Sequence, residues 1–254
     1  MVATTELVQH LDRELSCAAF SDYCPNGLQV EGAAEVTSIV SGVTASQSLI
    51  DAAIAVKADA ILVHHGYFWR GEDVRLVGMK KRRVESLLHN DINLLAYHLP
   101  LDCHPVLGNN IQLAHRLGID VEAVDDVPPP LIRRGRFAEP LTAAALVTRI
   151  ESTLQRVPLH VAPEQSASDQ VISSVAWCTG AAQGEIDTAL AMGVDAYITG
   201  EISEQTVHVA RENNIHFFAA GHHATERYGV QALGEHLADR FELEHRFIDC
   251  DNPA

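Results

Sequence analysis

The chain has 254 residues, of which 47% are hydrophobic and 20% are charged, as is typical of a globular protein with a substantial core. Its formal net charge of −16 disfavours nucleic-acid binding, because an acidic chain repels phosphate backbones. No apolar run is long enough to span a membrane, and residues 1–17 lack the apolar centre of a signal peptide, so we expect a cytoplasmic protein. The five cysteines are scattered without a Cys-x-x-Cys pair, which predicts reduced thiols.

Apolar runs alternate with amphipathic segments, which predicts an α/β fold with mixed sheets flanked by helices. The first half predicts strand 36–43, helix 46–56, strand 59–63, helix 80–89, strand 93–97 and helix 109–117. The second half predicts helix 142–154, a polar loop at 162–170, strand 171–178, a helix ending at 192, strand 194–198, a helix ending at 213, strand 215–219, a helix ending at 241 and strand 245–248. Residues 125–140 contain Asp-Asp-Val-Pro-Pro-Pro and predict a linker or surface loop. We therefore expect domains 1–125 and 126–254, with the C-terminal strand able to pack on the first.

The two halves resemble each other in sequence. Shifting the chain by 136 positions (174 − 38) aligns residues 38–60 with 174–196 and gives nine identical pairs over 23 ungapped positions. Two ordinary strand–helix–strand units could share residues by chance, but this number of identities favours an internal duplication. Ligands of open α/β sheets lie beyond the carboxyl ends of the strands. We therefore expect a site in the cleft between two related halves.

Potential metal ligands follow the predicted strands of the first half. His64 and His65 come directly after the run Ala-Ile-Leu-Val, where adjacent imidazoles are costly unless they are paired or bound to a metal. Adjacent strand residues point to opposite sides, so the two rings suit two neighbouring ions better than one. Pro100 is expected to hold Leu99 extended, so that Asp102 projects from a loop past the third strand. An equally good interpretation of Asp102 alone is a helix or turn cap.

The second half contributes a histidine and a carboxylate. His222 and Glu226 are four residues apart at the start of a predicted helix and share one helix face. Such a pair is also common as a simple surface contact. Together with His64, His65 and Asp102, however, it completes three imidazoles and two carboxylates. These five residues can hold two divalent ions with open coordination positions, which indicates catalysis or ion exchange rather than a structural metal.

Six segments of the chain together form a recognisable pattern. They are Asn26-Gly27-Leu28-Gln29-Val30, Val63-His64-His65-Gly66-Tyr67-Phe68-Trp69, Tyr97-His98-Leu99-Pro100-Leu101-Asp102, Leu107-Gly108-Asn109-Asn110, Thr199-Gly200-Glu201 and Gly221-His222-His223-Ala224-Thr225-Glu226. These segments resemble the YbgI-like family, whose members are widely labelled type 2 homologues of GTP cyclohydrolase 1. The resemblance runs from about residue 5 to the C-terminus and is weakest between 120 and 165.

The resemblance implies a fold, a metal centre and an assembly. In relatives, the positions matching His64, His65, Asp102, His222 and Glu226 bind a dinuclear metal centre. The family fold is two linked α/β domains, assembled as a homohexameric ring with the sites facing an internal cavity. Nitrogen and oxygen ligands admit Zn, Mn, Fe, Co or Ni.

Further residues are candidates for catalysis or support. His98 and His223 could orient a ligand or protonate a leaving group, and Glu226 could act in catalysis as well as in metal binding. Glu201 ends the strand equivalent to the His64 strand and could bond a ligating imidazole. The aromatic residues after His65 suit either the stacking of a planar substrate or simple packing; they are Tyr67, Phe68 and Trp69.

The function that follows is a metal-dependent hydrolase acting through a metal-bound hydroxide on an unidentified small molecule. GTP ring opening is the reaction in the family label, but the chain lacks a Walker-type loop. Few basic residues lie near the ligands, and the available triphosphate contacts are Arg70, Lys80, Arg82 and Arg227. The alternatives are a non-enzymatic ring that delivers or senses metal ions and, against the acidic charge, a ring that threads DNA.

Overall fold

The computed structural model describes residues 1–126, 128–164 and 171–254. The chain folds into two compact units, Met1–Gly108 with Gly229–Asp251, and Asn109–Tyr228 with Asn252–Ala254. The predicted boundary at residue 125 therefore lies inside the second unit. Most of the predicted polar loop at 162–170 lies outside the described residues.

Helices and strands alternate along most of the chain. The elements before residue 104 are β1 (Val2–Ala3), α1 (Thr4–Glu14), β2 (Gly27–Val30), β3 (Glu35–Val36), β4 (Ser38–Thr44), α2 (Gln47–Ala55), β5 (Ala60–His65), α3 (Gly78–His89), β6 (Asn93–Ala96) and α4 (Leu99–Cys103). The later elements are α5 (Asn109–Leu117), β7 (Ile119–Val121), β8 (Arg133–Thr142), α6 (Ala143–Leu154), β9 (Leu159–Val161), β10 (Val171–Trp177), α7 (Ile186–Ala191), β11 (Ala196–Thr199), α8 (Glu204–Glu212), β12 (His216–Ala219), α9 (His222–Thr225), α10 (Arg227–Phe241) and β13 (Glu244–Phe247).

The first unit contains a mixed sheet in the order β13-β4-β5-β6-β2. The strands from β13 to β6 are parallel, and β2 pairs antiparallel with β6 at one edge. Strand β5 is buried on both faces, which explains its continuous apolar run. Ala60 and Leu62 contact the core cluster that includes Leu7 of α1 and Val230 of α10. Alternate residues of the strand contact the opposite cluster, built with α2 and α3.

The second unit contains a mixed sheet in the order β7-β8-β10-β11-β12-β9. Strands β10, β11 and β12 are parallel, and the other pairings are antiparallel. Helices α5 and α6 pack on one face, around the buried Trp177 and Phe218. Helices α7 and α8 pack on the other face, around Tyr197 and Phe217. The fold is therefore mixed α/β, with sheets flanked by helices.

Strand β8 corrects the prediction that residues 125–140 form only a linker or loop. The strand begins at Arg133 and contains Pro140, which cannot donate to a ladder. Its pairing with β10 passes from Leu141 opposite Ile172 to Arg136 opposite Ser174, so an irregularity takes up the residues between them. This bulge accommodates the proline, and its disruption of the alternating pattern hid the strand from sequence analysis.

The parallel strand pairs β4–β5 and β10–β11 have the same pairing register in the two units. Val40 lies opposite Ile61 in the first unit, and Ala176 lies opposite Tyr197 in the second, at positions related by the same shift of 136 residues. A serine–aspartate contact is repeated as well. The backbone N–H of Ser38 donates to Asp59 Oδ2 at 3.0 Å, and that of Ser174 donates to Asp195 Oδ2 at 2.8 Å. The sequence repeat thus corresponds to a repeat of backbone structure and hydrogen bonding.

No helix in the described residues is both long and apolar enough to cross a membrane.

We predict that Asp59→Asn and Asp195→Asn each destabilise the protein more near neutral pH than in acid. Burial, the largest influence, raises the pKa of each carboxyl, yet the hydrogen bonds from residues 37–38 and 173–174 outweigh it and lower the pKa. A lowered folded-state pKa contributes stability above the unfolded value of 3.8, and this stability is lost as the pH falls through the folded pKa. We expect a loss of about 1–2 kcal/mol per variant at neutral pH.

Urea unfolding at neutral pH and at about pH 3 measures this difference. Asp239→Asn, at an exposed position of α10, is the matched control and should behave like the unmodified protein at both values. Equal destabilisation of the Asp59 and Asp195 variants at both pH values would contradict the electrostatic explanation.

Candidate metal centre

His64 lies at the carboxyl end of β5 and is fully buried. Its Nδ1 is 2.9 Å from the backbone oxygen of Tyr97, which can only accept, so Nδ1 carries the proton and donates. In the neutral ring, Nε2 then carries the lone pair. This Nε2 lies 3.5 Å from Oδ1 of Asp102. An imidazole lone pair and a carboxylate that face each other favour a cation there, either a proton or a metal ion.

The environment of Asp102 corrects the expected loop. Residues Leu99–Cys103 form helix α4, with Pro100 in its first turn. Proline fits there because the first N–H groups of a helix need no partner within the helix. The N–H of Leu99 donates instead to Oδ2 of Asp22 at 2.9 Å. Asp102 is therefore placed by a helix, and it is buried.

His65 and His98 complete the histidine cluster of the first unit. Nδ1 of His65 is 3.3 Å from the hydroxyl of Thr44, on the neighbouring strand β4. The rings of His64 and His65 are 4.5 Å apart between centroids, and those of His64 and His98 are 5.0 Å apart. One ring nitrogen from each of the three histidines lies within 4.8 Å of the others. This spacing brings three nitrogen donors into a region of the size of a metal centre.

Asp22 belongs to this cluster and was missed in the sequence analysis. Its Oδ1 lies 2.7 Å from Nδ1 of His98, and its Oδ2 accepts from Nδ2 of Asn26 at 2.9 Å. Burial, the largest influence, raises its pKa, but the hydrogen bonds from His98 and Asn26 prevail and bring the pKa to about 2. An ionised Asp22 therefore keeps the proton of His98 on Nδ1. The one available signal was the Asp22-x3-Asn26 spacing just before the family segment that begins at Asn26.

The three aromatic residues after His65 differ in their surroundings. Tyr67 is buried, and its hydroxyl donates to the carbonyl of Ala45 at 2.8 Å, so it supports the fold. Phe68 is half-exposed, with the ammonium of Lys80 at 4.8 Å from its ring centre. Trp69 packs edge-on against His98, with 5.0 Å between ring centroids. Of the three, Trp69 is the one placed against the histidine cluster.

The second unit holds His222 between two carboxylates. Helix α9 begins at His222, separated by two residues from the end of β12 at Ala219. Its Nδ1 is 2.7 Å from Oε1 of Glu201, and its Nε2 is 3.2 Å from Oε2 of Glu226. Burial, the largest influence, lowers the pKa of His222, but the hydrogen bonds and charges of Glu226 and Glu201 together raise it to about 9. The two carboxylates therefore favour a positive charge at His222. His223 is buried beside it.

Gly180 leaves space for this group. Its φ of +71° lies in the left-handed region, and a Cβ there would overlap Oε1 of Glu226. The same Cβ would approach Nε2 of His222 to 3.2 Å. The Gly180 N–H donates to the hydroxyl of Thr225 at 3.0 Å, which fixes the backbone beside α9. The glycine is thus required by the position of Glu226.

The basic residues considered as triphosphate contacts are mostly engaged elsewhere. Arg70 donates to the carbonyl of Asp22 at 2.8 Å, and Lys80 pairs with Glu72 at 3.2 Å. Arg227 donates to the carbonyl of Leu154 at 2.5 Å. Arg82 is exposed on α3.

Comparisons with known proteins identify the family. Residues 2–253 match the family model described as Duf34/NIF3 (NGG1p interacting factor 3). A Pseudomonas aeruginosa protein named GTP cyclohydrolase 1 type 2 homolog is 58% identical over 255 residues, covering 100% of this chain and 99% of its own length. The solved structure of protein ybgI, a protein of unknown function, has a TM-score of 0.93 and 52% identity, with 100% of both chains covered.

A crystal structure of a Thermus thermophilus protein is also similar, with a TM-score of 0.88 and 32% identity over 100% of both chains. The family match covers almost the entire chain, and the fold agrees over its whole length. The chain therefore belongs to the Duf34/NIF3 family.

Proposed function

We propose that His64, His65, Asp102, His222 and Glu226 together bind two divalent cations. The observation that carries this proposal is the way the three imidazoles are held. Each has a hydrogen-bond partner at Nδ1, namely the Tyr97 carbonyl, the Thr44 hydroxyl and the Glu201 carboxylate respectively. Metal-ligating histidines almost always have such a partner on one ring nitrogen, which fixes the tautomer and directs the other nitrogen to the ion.

The chemistry of the donor set fits divalent ions. Three imidazole nitrogens and two carboxylates suit Zn, Mn, Fe, Co or Ni. Two ions would carry +4 against −2 from the carboxylates, so water or an anionic substrate fits the remaining charge. The burial of Asp102 and Glu226 supports the same proposal, because buried carboxylates are costly unless paired or bound to a metal.

We further propose that the centre serves a metal-dependent hydrolase. A pair of divalent cations supplies, when bound, Lewis-acid polarisation of the substrate and activation of water at neutral pH. The chain contributes the proton transfers. Asp22 holds His98 in the Nδ1–H tautomer, so its Nε2 can accept a proton and return it to a leaving group. Trp69 restrains the His98 ring from the side.

The substrate class that we propose is broader than GTP, the substrate in the relatives' name. The name GTP cyclohydrolase 1 type 2 homolog belongs to those relatives, and binding a triphosphate requires several available cations. Arg70, Lys80 and Arg227 are bonded within the protein, which leaves little basic surface for that purpose. We therefore propose hydrolysis of a small molecule with low dependence on phosphate recognition. The alternative is metal handling without catalysis, which an activity assay distinguishes from hydrolysis.

We predict that Glu201→Gln weakens metal binding while the fold is retained. The amide can still accept from Nδ1 of His222 but lacks the charge that raises the basicity of the imidazole. Loss of such a supporting carboxylate lowers metal affinity by roughly 10- to 100-fold. Competition with a chromophoric chelator measures the affinity, and Glu204→Gln at an exposed position of α8 is the control. Unchanged affinity in Glu201→Gln would remove the main support for His222 as a ligand.

We predict that His98→Gln slows metal-dependent hydrolysis while leaving the metal content unchanged. Removing a general acid–base residue lowers the rate by about 10²- to 10⁴-fold. Glu226→Ala should lose both metal and activity. The assay first screens metal-loaded protein against cyclic amides, nucleotides and phosphoesters, then compares the variants on the substrate found.

The two functions give different results in this assay. Absence of turnover across the panel, combined with rapid transfer of bound ions to an apo acceptor protein, would replace the hydrolase with a metal-handling function. A loss of metal in His98→Gln would make His98 a ligand rather than a proton carrier.

We also propose that the chain assembles as a homohexameric ring, as the family resemblance implies. Size-exclusion chromatography with light scattering should give six times the mass of the chain. A monomeric or dimeric mass at micromolar concentration would contradict this assembly.

A further inference from the structure

A second group of ligating side chains lies in the first unit, on helices α1 and α10. His10 and Glu14 are four residues apart on α1 and therefore share a helix face, and His236 is on α10. One potential ligand atom from each of the three residues lies within 4.8 Å of the others. The hydrolase proposed above uses none of them.

The two imidazoles already have the spacing of ligands to one ion. Nε2 of His10 is 3.2 Å from Nε2 of His236. Two nitrogens bound to a tetrahedral ion at about 2.0–2.1 Å are separated by roughly 3.3 Å. The rings are stacked, with centroids 5.5 Å apart and planes inclined by 15°, so both nitrogens are presented side by side. Without an ion this contact is a hydrogen bond in which one Nε2–H donates to the other Nε2, so binding a cation here requires that proton to move to Nδ1.

Protonation and charge also suit a cation. Burial, followed by the charges of Arg240 and His236, lowers the pKa of His10, which favours the neutral form that binds metals. Glu14 supplies a negative charge next to the two rings, and its side chain is 35% exposed, so an ion can reach it from solvent. Arg240 and Arg13 also act on His10 and partly offset that negative charge.

A third histidine, His104, lies beside Glu14. Nδ1 of His104 accepts the backbone N–H of Leu107 at 2.9 Å, so the neutral ring carries its proton on Nε2. That Nε2 lies 3.7 Å from Oε1 of Glu14. At this distance the contact is electrostatic rather than a hydrogen bond, and it places a polar N–H beside the carboxylate.

We propose that His10, Glu14 and His236 bind one divalent transition-metal ion, separate from the five-residue centre. Two imidazoles and a carboxylate provide three ligands of a tetrahedral site and leave one position for water. The ion links α1, near the start of the chain, to α10, near its end. Because binding requires the native packing of these helices, the ion also stabilises the first unit.

The test is a count of bound ions in untagged protein that has been stripped of metal. Wild type, the double variant with His10→Ala and His236→Ala, and the control His208→Ala are each dialysed against Zn²⁺ and analysed for metal and protein. His208 lies on α8 and is exposed. We expect the double variant to bind one ion per chain fewer than wild type, and the control to match wild type.

Co²⁺ provides a second readout that identifies the ligands. Its visible absorption distinguishes tetrahedral nitrogen and oxygen coordination from hydrated Co²⁺. We expect one component of the wild-type Co²⁺ titration to be absent in the double variant. In Glu14→Gln, which preserves side-chain shape, the same component should require about tenfold or more additional Co²⁺.

Equal ion counts in wild type and the double variant would overturn the proposal, as would binding seen only at large zinc excess. Circular dichroism and thermal melting without metal show whether the double variant is folded, and Glu14→Gln gives an independent answer if it is not. The result is separate from that for the five-residue centre. Failure of that centre would lower the count equally in all three proteins and leave the difference between them intact.

Discussion

The hydrogen bond between His64 Nδ1 and the Tyr97 carbonyl is the interaction on which the first histidine cluster depends. His64 is fully buried, and a buried polar group without a partner costs about 1–3 kcal/mol. The parallel pairing of β5 with β6 brings the Tyr97 carbonyl within 2.9 Å of the ring. The same bond fixes the tautomer, and so it decides which nitrogen faces Asp102. This one hydrogen bond therefore serves both the fold, by pairing a buried ring, and the proposed metal binding, by directing Nε2.

The repeated sheet register shows how similar backbones came to carry different chemistry. Under the shift of 136 residues, His64 and His65 correspond to Gly200 and Glu201. A side chain at Gly200 would overlap the backbone of His222 at 2.6 Å, so the second unit has no space for an imidazole there. The next position carries Glu201, which bonds His222. The proposed ligand His65 of the first unit therefore corresponds to Glu201 of the second, which bonds the proposed ligand His222.

The sequence predicted those helices and strands whose hydrophobic pattern follows directly from the burial of their residues. Parallel strands such as β5 have continuous apolar runs, and their ends were recognisable from the polar residues that follow. Strands β2 and β8 were missed because an edge position and a bulge disturb their patterns. Helix α4 was missed because proline was interpreted as extending the chain, whereas a carboxylate supplied by Asp22 caps its first turn. Asp22 could not be assigned because its partner His98 is 76 residues away.

The two His-x3-Glu pairs that are proposed as metal ligands, His10 with Glu14 and His222 with Glu226, differ in how their imidazoles are held. His222 contacts the charged acceptor Glu201 at 2.7 Å. This contact orients the ring and makes the other ring nitrogen a stronger metal ligand. His10 is restrained by stacking on His236 and by the edge of Phe241, contacts that orient a ring without adding charge. Since a supporting carboxylate is worth roughly 10- to 100-fold in metal affinity, the α1–α10 site should be the weaker of the two. It should therefore exchange its ion at metal concentrations where the five-residue centre remains filled, so that free metal changes the stability of the first unit without emptying that centre.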